Sequence, residues 1–210
     1  MIRIALLALL ALAAGCARLT VDTPASPAAE DAAEQRWQAR RQQLAGYADW
    51  ALTGRLAIQN SETGFNAGLN WRQAGPAFRL RLMAPFGRGT WAISREADTV
   101  ALVTPDQGTF QAASVGELMD RHLGWRLPVD GARYWVLGVP EPGAAVDSYR
   151  IDADGRLTDL SQGGWRISVN RYQAVPDPAA ADATLELPAR LFLTYGELEV
   201  RIAVTRWELD

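Results

Sequence analysis

From Trp50 onward the chain alternates apolar and polar residues, and the pattern recurs through most of its length. In "WALTGRLAIQ", Leu52, Leu56 and Ile58 lie on one side, and Thr53, Arg55 and Gln59 on the other. "GFNAGLNWRQ" sets Phe65, Ala67, Leu69 and Trp71 against Asn66, Asn70 and Arg72, and "AFRLRLM" sets Phe78, Leu80 and Leu82 against Arg79 and Arg81. Side chains along a strand point to opposite faces with a period of two, so this pattern demands strands with one dry and one wet face. "GTWAISR", "DTVALVT" and "GTFQA" continue it. After a break, so do "SYRID", "RLTDLSQ", "GWRISVNRYQ", "ARLFLTYG" and "ELEVRIAVTRWEL". The connections are too short for helical crossovers, so the strands pair antiparallel, about eleven of them at ordinary strand lengths.

Few segments break the pattern. A helix is predicted from about Glu30 to Ala48, with Trp37, Leu44 and Tyr47 on one face. Ser114 and Glu117 have the spacing of a capping box before "LMDRHL". Asp130 is placed to cap a short helix, "GARYWVLG", ending at Gly138. These helices must cover the dry face, because nothing else in the chain can. That face is rich in tryptophan: Trp37, Trp50, Trp71, Trp91, Trp125, Trp135, Trp165 and Trp207. A strongly curved sheet closes around either a packed core or a cavity, and the residues leave both open.

Chemistry is excluded more easily than assigned. All 21 basic residues are arginine, so there is no lysine for a Schiff base or a P-loop, and no Walker motif is present. One His and one Cys give neither an internal disulfide nor a histidine metal cluster, and no cofactor is expected. A net charge of −3 gives no footprint for nucleic acid. "DADG", Asp152 to Gly155, lacks the ligand register of a calcium loop and reads as a hairpin turn. His122, among apolar neighbours, reads as a structural histidine, and no nucleophile elbow accompanies it. An esterase is therefore a distant reading, and the chain is expected not to be an enzyme.

The N-terminus is an address. Arg3 precedes the apolar run "IALLALLALAA", too short to span a bilayer as a helix, and residues 1–15 read as a signal peptide. "LAAGC" resembles a lipobox, with Cys16 as the lipidated residue. Ala17, rather than Asp, follows the Cys, and by resemblance to the bacterial sorting rule this directs the protein to the outer membrane, facing the periplasm. Residues 16–30, rich in Pro, Ala and acid, read as a tether, and residues 31–210 as one domain.

One further feature is odd. In "RLMAPFGRGT", Phe86 stands between Pro85 and Gly87, where a turn should be polar.

The order of "GRLAI", "LNWRQ", "APFG", "LPVDGARYWVLGVPEP", "DGRLTDLSQGGWRISVNRY" and "VRIAVTRWEL" resembles the family of the outer-membrane lipoprotein receptor LolB across nearly the whole mature chain. The resemblance implies a mainly β fold: an unclosed antiparallel β-barrel with an α-helical lid over a hydrophobic cavity. It implies a monomer that accepts lipoproteins from the periplasmic carrier LolA by binding their acyl chains. It then inserts them into the inner leaflet of the outer membrane. It assigns acyl binding to Trp37, Trp71, Trp135 and Trp165, extended here to Leu56, Ile58, Phe65, Leu69, Leu80, Leu82 and Ile93. It also makes Pro85, Phe86 and Gly87 a membrane-insertion loop, with Phe86 where the family commonly has Leu. The alternative is a scaffold lipoprotein of the same fold with a solid core.

Overall fold

The structure, a computed structural model, describes residues 26–61, 64–123 and 128–210. The signal peptide, Cys16, Trp125 and most of the predicted tether lie outside the described residues.

Eleven strands form one antiparallel sheet. They are β1 (Asp49–Gln59), β2 (Gly64–Ala74), β3 (Ala77–Met83), β4 (Thr90–Glu96), β5 (Thr99–Thr104), β6 (Gly108–Ala112), β7 (Val146–Ile151), β8 (Leu157–Gln162), β9 (Trp165–Pro176), β10 (Thr184–Tyr195) and β11 (Leu198–Leu209). Their spatial order is β6-β5-β4-β3-β2-β1-β11-β10-β9-β8-β7. The two ends of the order, β6 and β7, do not pair with each other, so the sheet is unclosed as expected. Chain order is kept within each half, and the β1–β11 pairing joins the halves down the middle.

That joint needs a close approach. At Gly54 the β1–β11 register shifts, and a Cβ there would stand 2.2 Å from the Ala203 carbonyl oxygen. Only glycine lets the two central strands bend together at this point.

The alternating apolar residues all face inward. Leu52, Leu69, Leu82, Ile93, Leu102, Leu157, Ile167 and Leu191 are at most 1% exposed and belong to one core cluster. Three helices lie along the sheet: α1 (Pro27–Ala45), α2 (Val115–Leu123) and α3 (Val129–Trp135). α1 contacts edge strand β7, and α2 contacts edge strand β6 and its neighbour β5.

The helix boundaries differ from the sequence expectation for local reasons. α1 begins at Pro27 rather than Glu30, because Ser26 caps it and Pro27 suits a first turn. Residues 27–30 are therefore helix, not tether. It ends at Ala45, leaving Tyr47 just beyond its last turn. The Ser114 box is half made. Its Oγ accepts from Glu117 N at 3.2 Å, but the Glu117 carboxylate pairs with Arg121 instead of reaching back. α3 starts after Pro128, so Asp130 is in its first turn and not its cap; its carboxylate binds Arg95 of β4. α3 stops at Trp135 and continues as turns through Gly138, which sits at φ 80°.

One buried polar residue fixes the segment after α3. Gln162 of β8 is fully buried. Its Oε1 accepts from Trp135 Nε1 and Glu141 N, both at 2.9 Å. Its Nε2 donates to the Glu141 and Ala144 carbonyls at 2.9 and 3.1 Å. Every polar capacity of the side chain that these groups can use is filled, so the network specifies one path for residues 138–144. Replacing Gln162 with Leu strands the Trp135 indole and the Glu141 amide. Urea denaturation is expected to show a loss of about 2 kcal/mol or more, and an unchanged midpoint would contradict this role.

Candidate functional site

The inner face carries the aromatic residues in groups. Trp50 packs between Trp71 and Trp207, with ring centroids 5.2 and 5.4 Å apart. Trp165 packs on Trp135 at 6.0 Å and on Tyr195 at 5.3 Å, and Phe65 meets Trp91 edge-on at 5.3 Å. Indole N–H groups mostly find partners at the rim: Trp71 Nε1 donates to Gln73, and Trp207 Nε1 to the Pro188 carbonyl, each at 3.1 Å.

Of the predicted acyl-binding residues, Trp37, Leu56, Ile58, Leu69, Trp71, Leu80, Leu82, Ile93, Trp135 and Trp165 are all buried in a single cluster, and Phe65 packs against its margin. Those on strands share the inner face of the sheet, as the alternation required, and Trp37 of α1 and Trp135 of α3 pack into the same cluster from the helices. In this arrangement α1 is seated, and these side chains pack on one another. The cleft that opens beside α1 is lined by others. It holds about 580 Å³ between the last turns of α1, the β2–β3 turn and the segment after α3, with Leu44, Trp50, Leu137 and Val139 as its apolar lining. Trp50 was legible as the first residue of the alternating run. Leu137 and Val139 were not, since their placement depends on the Gln162 network.

α1 is held on the sheet by one indole and a series of polar clasps. Trp37 is 1% exposed and 5.8 Å from the ring of Tyr149. Around it, Arg36 donates to the Ala153 carbonyl at 2.9 Å, and the Tyr149 hydroxyl donates to Glu34 at 3.1 Å. The β7–β8 turn touches the helix backbone: a Cβ at Gly155, whose φ is 70°, would lie 2.6 Å from Trp37 N. Arg40 donates to the Glu186 carbonyl and sits 5.4 Å from the ring centre of Tyr172, while Arg156 lies 5.3 Å from the same centre. Burial lowers the Arg40 pKa below its usual value and raises that of Tyr172. Trp37 Nε1 and Arg40 Nε are buried with no hydrogen-bond partner among the described residues. Such orphaned donors weaken a docked element.

The last clasp is Asp177, in the β9–β10 loop. It accepts from the Tyr47 hydroxyl, from Gln43 Nε2 at 3.3 Å and from Ala179 N at 2.9 Å. The Tyr47 bond and the Ala179 amide hold its pKa below the ordinary value. Tyr47 is pushed up to about 12, by desolvation first and then by Asp177.

The second feature is the tip between β3 and β4. Pro85–Gly87 form a single 3₁₀ turn, closed at its base where Ala84 N donates to the Gly89 carbonyl at 3.0 Å. Phe86 is 96% exposed. Its backbone sits at φ 59°, ψ 31°, the left-handed region that bulky residues avoid. The loop is locked from behind, since a Cβ at Gly89 would meet Pro105 Cγ at 2.3 Å. So the phenylalanine does not fold back onto the core, and the braced loop holds it outward against a backbone cost of about 1 kcal/mol or more.

Other candidates do not assemble. His122 stacks on Phe110 at 3.8 Å, as a structural histidine does. Among the described residues no group of His, Cys, Asp or Glu could hold a metal ion, and no helix is long and apolar enough to cross a membrane.

An unclosed antiparallel sheet with helices laid over its dry face defines a fold class. It is similar to the crystal structure of a LolA superfamily protein from Nitrosomonas europaea. The TM-score is 0.50 at 6% identity, covering 85% of this chain and 93% of that one. Within that class, the outer membrane lipoprotein LolB profile matches residues 48–207. Outer-membrane lipoprotein LolB of Nitrosococcus oceani is 36% identical over 200 residues, covering 95% of this chain and 94% of the relative. That of Pseudomonas aeruginosa is 35% identical over 199 residues, covering 95% and 92%. The chain belongs to the LolB family, outer-membrane receptors in lipoprotein localisation.

The Asp177 clasp gives a pH signature. A carboxylate whose folded pKa is depressed contributes stability above its ordinary value of 3.8 and loses it as pH falls through the folded value. Tyr47, raised, contributes below 10.0 and loses its part as pH climbs towards about 12. Amide protection in the last turns of α1, taken relative to the intrinsic exchange rate at each pH, is therefore expected to be high between these limits and to fall below pH 3.8. Asp177→Asn should show the lower protection already at neutral pH. Equal protection in both proteins would remove the clasp.

Proposed function

We propose that the mature chain, anchored in the outer membrane through acyl chains on Cys16, takes lipoproteins from a soluble LolA-like carrier and passes them into the inner leaflet. Their acyl chains enter at the cleft beside α1, and the inner face receives them as the helix lifts. The observation that carries this reading is a continuous aromatic and aliphatic face covered by helices, one of which, α1, adds to its few buried side chains a series of polar clasps that water can replace. Exposing acyl chains to water costs about 0.8 kcal/mol per methylene, tens of kcal/mol for several chains, so cargo must stay covered. A polar-clasped roof over an apolar face supplies a place that exists only when the roof moves. Trp37, Trp71, Trp135 and Trp165, with Leu56, Ile58, Phe65, Leu69, Leu80, Leu82 and Ile93, are the surface that cargo would meet. No nucleotide chemistry is needed if each acceptor binds the chains better than its donor.

The Pro85–Gly87 tip is the exit. Phe86, an exposed apolar side chain, favours the bilayer interface. The seated, well-packed aromatic cluster also suits a scaffold with a solid core. An apolar dye separates the two: binding that acyl ligand displaces supports the receptor, and no binding supports the scaffold.

The decisive assay mixes carrier loaded with lipoprotein and the chain from residue 16 bearing Cys16→Ala. Cargo is expected to move to the chain; a carrier that keeps all of it overturns the reading. Phe86→Glu should accept cargo normally but deliver it to phospholipid vesicles at least tenfold more slowly, because a carboxylate at the tip opposes entry into the interface. Normal delivery by this variant would remove the tip from the mechanism.

A further inference from the structure

The outer face of the sheet holds a feature that the acyl-handling reading does not use. Strand register brings Met83, Gly68, Arg55, Ala203, Arg190 and Arg171 into one row across β3, β2, β1, β11, β10 and β9. Gly68 and Ala203 leave a hollow of about 770 Å³ along the part of this row from Met83 to Arg190, lined also by Pro85, Phe192 and Arg201; Arg171, paired with Arg190, stands beyond its end. Arg201 is partly committed: it pairs with Glu199 at 3.0 Å and lies 5.9 Å from the ring centre of Phe192. Arg55, Arg171 and Arg190 are exposed, and none has an ion pair or hydrogen bond among the described residues. Arg171 and Arg190 are partners on adjacent strands at a point where the β9–β10 register shifts on both sides, so two like charges meet at an irregular part of the sheet. Elsewhere on the outer face, Arg72 pairs with Asp210, Arg79 with Glu96 and Arg206 with Glu208, while Arg81 of β3, two residues before Met83 on the same face, is also without an ion pair among the described residues.

We propose that this hollow binds the phosphate headgroups of a phospholipid bilayer, the surface that the Phe86 tip enters. Three features select this occupant. Guanidinium forks match phosphate oxygens bidentately. The small-residue floor, edged by Met83 and Phe192, 40% and 37% exposed, suits a glycerol backbone and not a wholly polar partner. The site is continuous with the tip, because Pro85 forms both the start of the 3₁₀ turn and one wall of the hollow. The tip gives insertion, and the arginines orient the outer face against the headgroups beside it. The proposal rests on the membrane-facing role of Phe86, and its test separates the two.

The chain from residue 16 with Cys16→Ala is sedimented with vesicles of phosphatidylcholine alone, and with vesicles containing phosphatidylglycerol at three parts in ten. The parent is expected to bind the mixed vesicles more tightly. Arg55→Gln with Arg171→Gln and Arg190→Gln should lose on the order of tenfold on mixed vesicles, and with it the preference between the two compositions. Phe86→Glu should weaken binding to both compositions while keeping the preference. If Phe86→Glu binds like the parent, the tip reading fails; if the arginine variant binds like the parent, the headgroup site fails. Arg72→Gln with Arg79→Gln and Arg206→Gln removes the same number of charges from the same face outside the hollow. An equal loss there means general attraction, which overturns a built site. If the arginine variant binds vesicles normally but takes cargo poorly from the loaded carrier, the row is a protein-docking surface, and the lipid assignment falls. All substituted side chains are exposed, so thermal melting should be unchanged throughout.

Discussion

Everything in this molecule follows from the dry face of a sheet that does not close. Eleven strands each turn apolar residues inward, and the ends of the sheet never meet. A closed barrel seals its interior with strand hydrogen bonds. Here the seal is a set of separate helices, so the element covering part of the interior is not one of the sheet's strands, as the proposed lifting of the helix requires. α1 has this character. Its buried side chains are only Ala33, Trp37 and Leu44 across 19 residues, and the rest of its attachment is through hydrogen bonds and arginine–aromatic contacts. Such bonds are worth about 1 kcal/mol each and can be exchanged for water. Opening the roof therefore costs far less than unfolding the sheet.

Separate helices also guard the edges. Unpaired edge strands invite pairing with other chains, and proteins blunt them by covering or distorting them. β6 lies against α2. β7 lies against α1 and carries two register irregularities opposite β8. A roof that protects an edge and covers the interior joins two roles in one helix.

The sequence was most readable where physics is periodic. Inward and outward residues of β1, β2 and β3 could be assigned from alternation alone, because the period of two has one structural solution. Helix ends were less legible. The start of α1 turned on Ser26 and Pro27, inside a stretch whose composition read as tether, and Asp130 was drawn into an ion pair with Arg95 rather than a cap. What could not be read was whatever depends on strand partners. Arg55, Arg171 and Arg190 are far apart in the chain and look like ordinary wet-face residues until the register aligns them. Gln162 has no local signal at all, since its four partners come from α3 and the loop after it. Phe86 is the opposite case. The chain advertises it as an apolar residue in a turn, but not the left-handed backbone that makes it protrude.

That backbone has a consequence for speed. An exposed aromatic on a slack loop would sample many directions and would have to be ordered as it entered a bilayer, at an entropic cost during every encounter. The loop at Phe86 is braced by the Ala84–Gly89 hydrogen bond and by Pro105 behind Gly89. Its conformational cost is met once, when the protein folds. In the proposed role of the tip, contact with a membrane would then resemble the meeting of a rigid pin with a soft surface, limited by how often the two collide in the right orientation and not by rearrangement of the pin.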